Sequence, residues 1–268
     1  MSLSNDAPIP KRNTRTMAIL DYSEQHWRDA LGIEKGAEPT ALILEGTWWR
    51  QIATQSRLAL LDNVTELAFP EIYTGDWNGI RVAYCCAYGA ARAVEPVHIF
   101  SQMGTQTLIQ IGTCGSLDAD ATTGVVALPE ECVAQDGISQ YYGAKPLVYT
   151  DPALVTAAEQ SLTNRSIPTQ RTRHLTWPSL FAQSDDMCAD WARDGIATID
   201  METSAVIAAG ERFGARTLSL LSVWDQLFEG RTFNDPLPSD AAEKLQHANQ
   251  AVFEVALEVA KAATKSEN

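Results

Sequence analysis

Thr107-Leu108-Ile109-Gln110-Ile111-Gly112-Thr113-Cys114-Gly115-Ser116 is the stretch on which the fold turns. Thr107 to Ile111 reads as a buried strand, of the kind that parallel sheets carry when helices cover both faces. The chain then passes directly into Gly-Thr-Cys-Gly-Ser, expected to be a loop at the strand's carboxyl end. Two glycines and two hydroxyls there offer N–H groups and Oγ atoms that can cradle oxyanions or a heterocycle. Ligands of α/β sheets collect at such edges, where helix N-termini and loop amides converge. The lysine of a phosphate-binding P-loop and the GxGxxG spacing of a dinucleotide site are both missing, which removes those two readings.

Working outward, three more strand ends carry suspicious residues. Ala41 to Leu44 is an apolar strand ending at Gly46-Thr47-Trp48-Trp49-Arg50, where a helix begins. The glycine permits close backbone approach and the guanidinium can grip two oxygens. Ile196 to Ile199 is a strand running into Asp200-Met201-Glu202-Thr203 and a helix from Glu202 to Phe213. A soft methionine beside a strong acceptor suits a sugar, although a glutamate in a first helical turn also serves the macrodipole. Leu218 to Val223 is the fourth strand, ending at Trp224-Asp225. Burial beside six mostly apolar residues should raise the Asp225 pKa toward a range useful for proton donation. If the strands before Glu202 and Asp225 are adjacent and parallel, both carboxylates reach one edge.

The remaining chain supports a single unit. Glu71–Tyr73 and Ile80–Tyr84 alternate around Asn78-Gly79, a strong hairpin signal. A helix is expected from about Ala90 to Met103 and another from Asp151-Pro152 to about Leu162, followed by a Pro/Thr-rich loop to Trp177-Pro178. The final helix is announced by an Asp240/Glu243 capping box and apolar residues at steps of three and four. The expectation is one three-layer α/β domain over residues 17–268, with a central mixed β-sheet flanked by helices, behind a mobile arm over residues 1–16.

Composition narrows the partners. Twenty basic against thirty-four acidic residues leave a net charge of −14. Such a surface repels phosphate backbones and anionic lipid, so neither nucleic acid nor membrane is expected as a partner. No run of eighteen apolar residues and no signal peptide is legible. Five cysteines, an odd number with no CxxC pair, argue against a disulfide framework or a zinc site and for a cytoplasmic setting.

Taken together, from about Leu42 to Leu257, these residues resemble the nucleoside phosphorylase family, which holds purine nucleoside phosphorylases, uridine phosphorylases and related nucleosidases. The most specific pieces are Ile111-Gly112-Thr113-Cys114-Gly115, then Met201-Glu202-Thr203 with Asp225 downstream. The resemblance implies that Glu202 binds the ribose hydroxyls, that Met201 lies beneath the sugar, and that Phe181 stacks on the base beside Cys114 and Gly115. It implies that Gly46, Arg50 and Thr113 hold phosphate, and that Asp225 protonates N7 of a departing purine. No metal or cofactor is implied, inorganic phosphate being the co-substrate, and a homo-oligomer, dimer-based or hexameric, is. Gln110 stands where phosphorolytic members carry an arginine, and Trp224 where the family has a small residue. Three readings stay open: phosphorolysis of a purine nucleoside, hydrolysis by water on the same fold, and a nucleoside-binding protein without catalysis.

Overall fold

A computed structural model describes residues 22–265, and the expected arm over residues 1–16 lies outside them. The elements in chain order are α1 (Glu24–Leu31), β1 (Ala41–Gly46), α2 (Arg50–Leu58), β2 (Asp62–Glu66), β3 (Ile72–Trp77), β4 (Ile80–Cys86), α3 (Ala90–Gln102) and β5 (Thr107–Ser116). They continue as β6 (Val126–Ala134), β7 (Leu147–Tyr149), α4 (Pro152–Asn164), β8 (Thr169–Thr176), α5 (Asp185–Arg193), β9 (Thr198–Asp200), α6 (Thr203–Arg212), β10 (Arg216–Gln226) and α7 (Ser239–Lys265).

The ten strands among the described residues form one mixed sheet. At its open end β2, β3, β4 and β1 lead to β5, with β1 parallel to both β4 and β5. Beyond β5 the strands β10, β6, β8 and β9 return to β5 and close a ring of five. Strand alternation sorts the core. Ile43, Ile109, Leu218 and Leu220 pack with Val155 of α4 and Val252 and Val259 of α7 on one face. Leu42, Leu44 and Leu108 pack with Val97 of α3 and Val206 of α6 on the other. Those are the three layers expected, and no helix among the described residues is long and apolar enough to cross a membrane.

The Asn78-Gly79 turn joins β3 to β4, both residues taking positive φ (46° and 86°) as a two-residue hairpin of right-handed twist demands. Several expectations need correcting. The segment Gly112–Ser116 is not a loop: it continues β5, held between β10 and, at its tip, β9. The expected Pro/Thr-rich loop contains β8, whose buried Thr172 and His174 alternate with exposed Arg171 and Arg173 before Leu175 and Thr176 are both buried. The capping box at Asp240/Glu243 does not form; α7 starts at Ser239, and Asp240 sits inside its first turn, 3.7 Å from Lys244.

Candidate active site

At the carboxyl end of β5 a cavity of about 90 Å³ is lined by residues from five segments, Gly46 to Trp49, Tyr88, Thr113 to Gly115, Ile199 to Glu202, and Trp224 with Asp225, together with Leu180, Gln183, Leu227 and Phe233. Seven of the nine residues singled out from the sequence therefore converge: Gly46, Thr113, Cys114, Gly115, Met201, Glu202 and Asp225.

Glu202 is brought in by the junction of β9 and α6. Its side chain is buried, and Oε1 accepts a 2.5 Å hydrogen bond from the Gly89 amide at the start of α3. Burial and the neighbouring Asp200 carboxylate push its pKa well above the ordinary glutamate range, against the pull of the Gly89 and Met201 amides. Gly46 makes the room. A Cβ at that position would stand 2.9 Å from Glu202 Oε2, inside any tolerable contact. The glycine at the end of β1 thus serves the carboxylate across the cavity.

Asp200 plays a different part from Glu202. It accepts from Gln110 Nε2 at 2.8 Å, from Thr176 Oγ1 at 3.0 Å and from the Thr203 amide at 3.0 Å, and stands 2.9 Å from His174 Nε2. Those partners, the imidazole foremost, hold its pKa down despite complete burial. The Gln110 oxygen is itself filled, because Oε1 accepts from Thr203 Oγ1 and Ser219 Oγ at 2.7 and 2.8 Å. This knot under the cavity floor caps α6 and so fixes where Glu202 emerges.

Asp225 depends on an irregularity. Val223 pairs with Cys114 and Asp225 with Gly115, so Trp224 is an extra residue bulged out of β10. Side chains alternate along a strand, and without the bulge Trp224 would take the place opposite Gly115 that Asp225 now holds. The Trp224 carbonyl is fixed by Thr123 Oγ1 at 3.0 Å. Burial lifts the Asp225 pKa to about 6, against the opposing pull of the Arg231 charge and the Phe233 amide. Its Oδ1 is buried with no hydrogen-bond partner. A carboxyl with an unmatched oxygen facing a cavity is equipped to give or take a proton.

β9 and β10 are not the adjacent parallel pair expected. They flank β5 from opposite sides, and β9 runs antiparallel to it, yet Glu202 and Asp225 still share the cavity because both strands meet the β5 tip. Tyr88 lies within electrostatic reach of both carboxylates.

Two sequence expectations end elsewhere. Arg50 opens α2, but its exposed side chain pairs with Glu71 at 3.1 Å and is absent from the cavity lining. Phe181 is 76% exposed and leans on Trp48, ring centres 5.8 Å apart, outside the lining to which Leu180 and Gln183 belong. The Asp136–Ser139 turn lies outside the cavity lining and docks on α6 through Ser204 Oγ, which donates to Asp136 Oδ2 at 2.6 Å. Tyr88 was missed, although Tyr88-Gly89-Ala90 is one more strand-to-helix glycine junction, with Gly89 at φ 84°. Phe233 follows no pattern that would have marked it.

The match to families decides kinship. The model of the phosphorylase superfamily covers residues 51–262, well over half of the chain. The chain belongs to the phosphorylase superfamily. Among relatives within that superfamily, the DeoD-type purine nucleoside phosphorylase of Geobacillus kaustophilus (strain HTA426) is 26% identical over 195 residues, 70% of this chain and 78% of its own. A guanosine phosphorylase of Halorubrum lacusprofundi is 26% identical over 188 residues, covering 66% and 76%. A crystal structure of uridine phosphorylase from Vibrio fischeri ES114 superposes with a TM-score of 0.73 at 21% identity, over 85% of this chain and 93% of that one. That last likeness is one of fold alone.

Proposed function

We propose that this protein cleaves the N-glycosidic bond of purine nucleosides by phosphorolysis, giving the free base and ribose 1-phosphate. One observation carries the reading: two buried carboxyls of raised proton affinity, Glu202 and Asp225, line one cavity from separate walls. Breaking the bond leaves an oxocarbenium-like sugar and an electron-rich base, so the two halves of the substrate need different partners. Asp225 supplies the proton to N7, which favours a purine over a pyrimidine, since uracil has no N7. Glu202 holds the 2′- and 3′-hydroxyls of the ribose, with Met201 against the apolar face of the ring. Thr113 and the backbone about Gly46, which line the same cavity, would receive the oxyanion nucleophile. The purine and guanosine phosphorylases among the relatives support the same assignment. No cofactor enters this chemistry, phosphate being the co-substrate.

A second reading, hydrolysis, draws on one specific feature. Among the described residues lining the cavity there is no arginine, lysine or histidine, and Gln110 is committed to Asp200. An anionic nucleophile is worth several charge-assisted hydrogen bonds that this lining does not provide, whereas water needs none.

The test is turnover of inosine, guanosine and adenosine with phosphate present and removed, with ribose 1-phosphate and ribose measured separately. Phosphate-dependent ribose 1-phosphate is the expected product. Ribose formed at an undiminished rate without phosphate establishes hydrolysis, and no cleavage of any nucleoside defeats both readings. Five unpaired cysteines, four of them buried, support a reducing, cytoplasmic setting, and assembly into a homo-oligomer is proposed from family resemblance.

A further inference from the structure

The residue that creates the bulge also forms a wall. Trp224 lines the cavity on one side and, on the other, a groove of about 580 Å³ between α2 and α7, bordered by Leu60, Leu245, Asn249 and Gln250. Its ring lies almost parallel to that of Trp49, with centres 5.4 Å apart and planes at 24°. Trp49 belongs to the β1–α2 connection and Trp224 to β10, so the stack bridges two segments that approach the cavity separately. Offset stacking of this kind adds roughly 0.5–1.5 kcal/mol beyond buried area, enough to favour one arrangement of the exposed Trp49 ring on the partly buried Trp224 ring.

We propose that the Trp49–Trp224 stack sets the upper size limit of the leaving base, confining the enzyme to purines without bulky 6-substituents. The proposal rests on the purine-nucleoside reading above. A base whose N7 faces Asp225 turns its flanking atoms, C8 and the substituent on C6, toward the residues beside Asp225, and Trp224 is the immediate neighbour. The cavity it bounds is small and the groove behind it is several times larger. Removing the indole therefore joins the two spaces. The bulge itself should survive the truncation, because it is held through main chain: Thr123 Oγ1 donates to the Trp224 carbonyl at 3.0 Å, and the Gly124 amide donates to the Val223 carbonyl at 3.0 Å.

The experiment compares matched substrate pairs, inosine with 6-benzylthioinosine and adenosine with N6-benzyladenosine, in the wild type and in Trp224→Ser, Trp224→Phe and Trp49→Ala. The quantity read is kcat/KM for the bulky member divided by that for its parent. Trp224→Ser and Trp49→Ala should each raise this ratio at least about tenfold, and Trp224→Phe, which keeps a flat ring on Trp49, should stay nearer the wild type. Trp49→Ala leaves β10 untouched, so the test stands even if Trp224→Ser folds poorly. Ratios unmoved in both variants while the parent nucleosides are still cleaved overturn the size-limit proposal and leave the function intact. Absence of parent cleavage in the wild type removes the function, and the size limit falls with it.

Discussion

Buried carboxylates stand on both sides of the end of β1, Glu45 on one and Glu202 with Asp225 on the other, and they are treated in opposite ways. Glu45 points to the α7 side of the sheet. There Arg57 clasps both its oxygens at 3.0 Å, the Tyr84 hydroxyl donates at 2.8 Å, and Arg57 also donates to the Asn249 carbonyl at 2.8 Å. One residue later Gly46 faces the cavity, where Glu202 and Asp225 are as deeply buried and have no arginine or lysine bound to them. A paired buried charge holds elements together, here β1, β4, α2 and α7. An unpaired one costs stability and is available for chemistry. The contrast separates scaffold from site without reference to any relative.

The sharpest way to break the comparison is to neutralise Asp225. Asp225→Asn should lower purine-nucleoside kcat/KM by roughly 10²–10⁴-fold, the usual worth of a positioned proton donor, while binding of the sugar persists; steady-state kinetics with inosine decide it. The pH profile should agree. A donor with a pKa of about 6 is protonated below that value, so kcat/KM in the wild type should decline as pH rises past it, and a flat profile to pH 9 would remove the role. Stability should fall over the same rise in pH. The folded-state pKa lies above the unfolded one, so stability is lost as pH rises from the ordinary aspartate range through about 6. Asp225→Asn should therefore stabilise the protein at pH 8 by roughly 1–3 kcal/mol in denaturant titration.

The matching change on the other side of β1 should have the reverse sign. Arg57→Met strands Glu45 without its cation and should cost roughly 3–5 kcal/mol of unfolding free energy. A loss below 1 kcal/mol would mean the pair is not the brace described. Gly46→Ala lies between the two regions. The added methyl must displace the Glu202 carboxylate from the Gly89 amide, and kcat/KM should drop by about 10–100-fold with little loss of stability. Smallest of all is Arg50→Ala. With its guanidinium turned to Glu71 on the surface, the change should alter phosphate KM less than about threefold and stability by under about 0.5 kcal/mol; a large rise in phosphate KM would show that Arg50 swings into the cavity.

Much of this was readable from residues. The β5 strand, the Asn78-Gly79 hairpin, α3 and α6 follow from local pattern, whereas the convergence of Gly46, Thr113, Glu202 and Asp225 was expected from the strand-end rule and the family resemblance, and the strand pairing that was to bring it about proved different. What escaped was long-range or directional. The closure of five strands into a ring depends on pairings far apart in sequence, and β8 hid because Thr-Gln-Arg-Thr-Arg-His alternates polar with polar. The bulge at Trp224 is a register event that no propensity marks, yet it aims Asp225. Which way Arg50 turns was decided by Glu71, a residue twenty-one positions away.

The ring has a consequence for how a nucleoside gets in. β10, β6, β8, β9 and β5 are stitched edge to edge into a hoop, and a hoop has no seam along which its rim can be prised apart like the leaves of a book. The exposed rings of Trp48 and Phe181, 5.8 Å apart, are by contrast free to swivel on the nanosecond scale of side-chain rotation. Amide protons of β5 and β10 should accordingly be among the last to exchange with solvent, bound ligand or not.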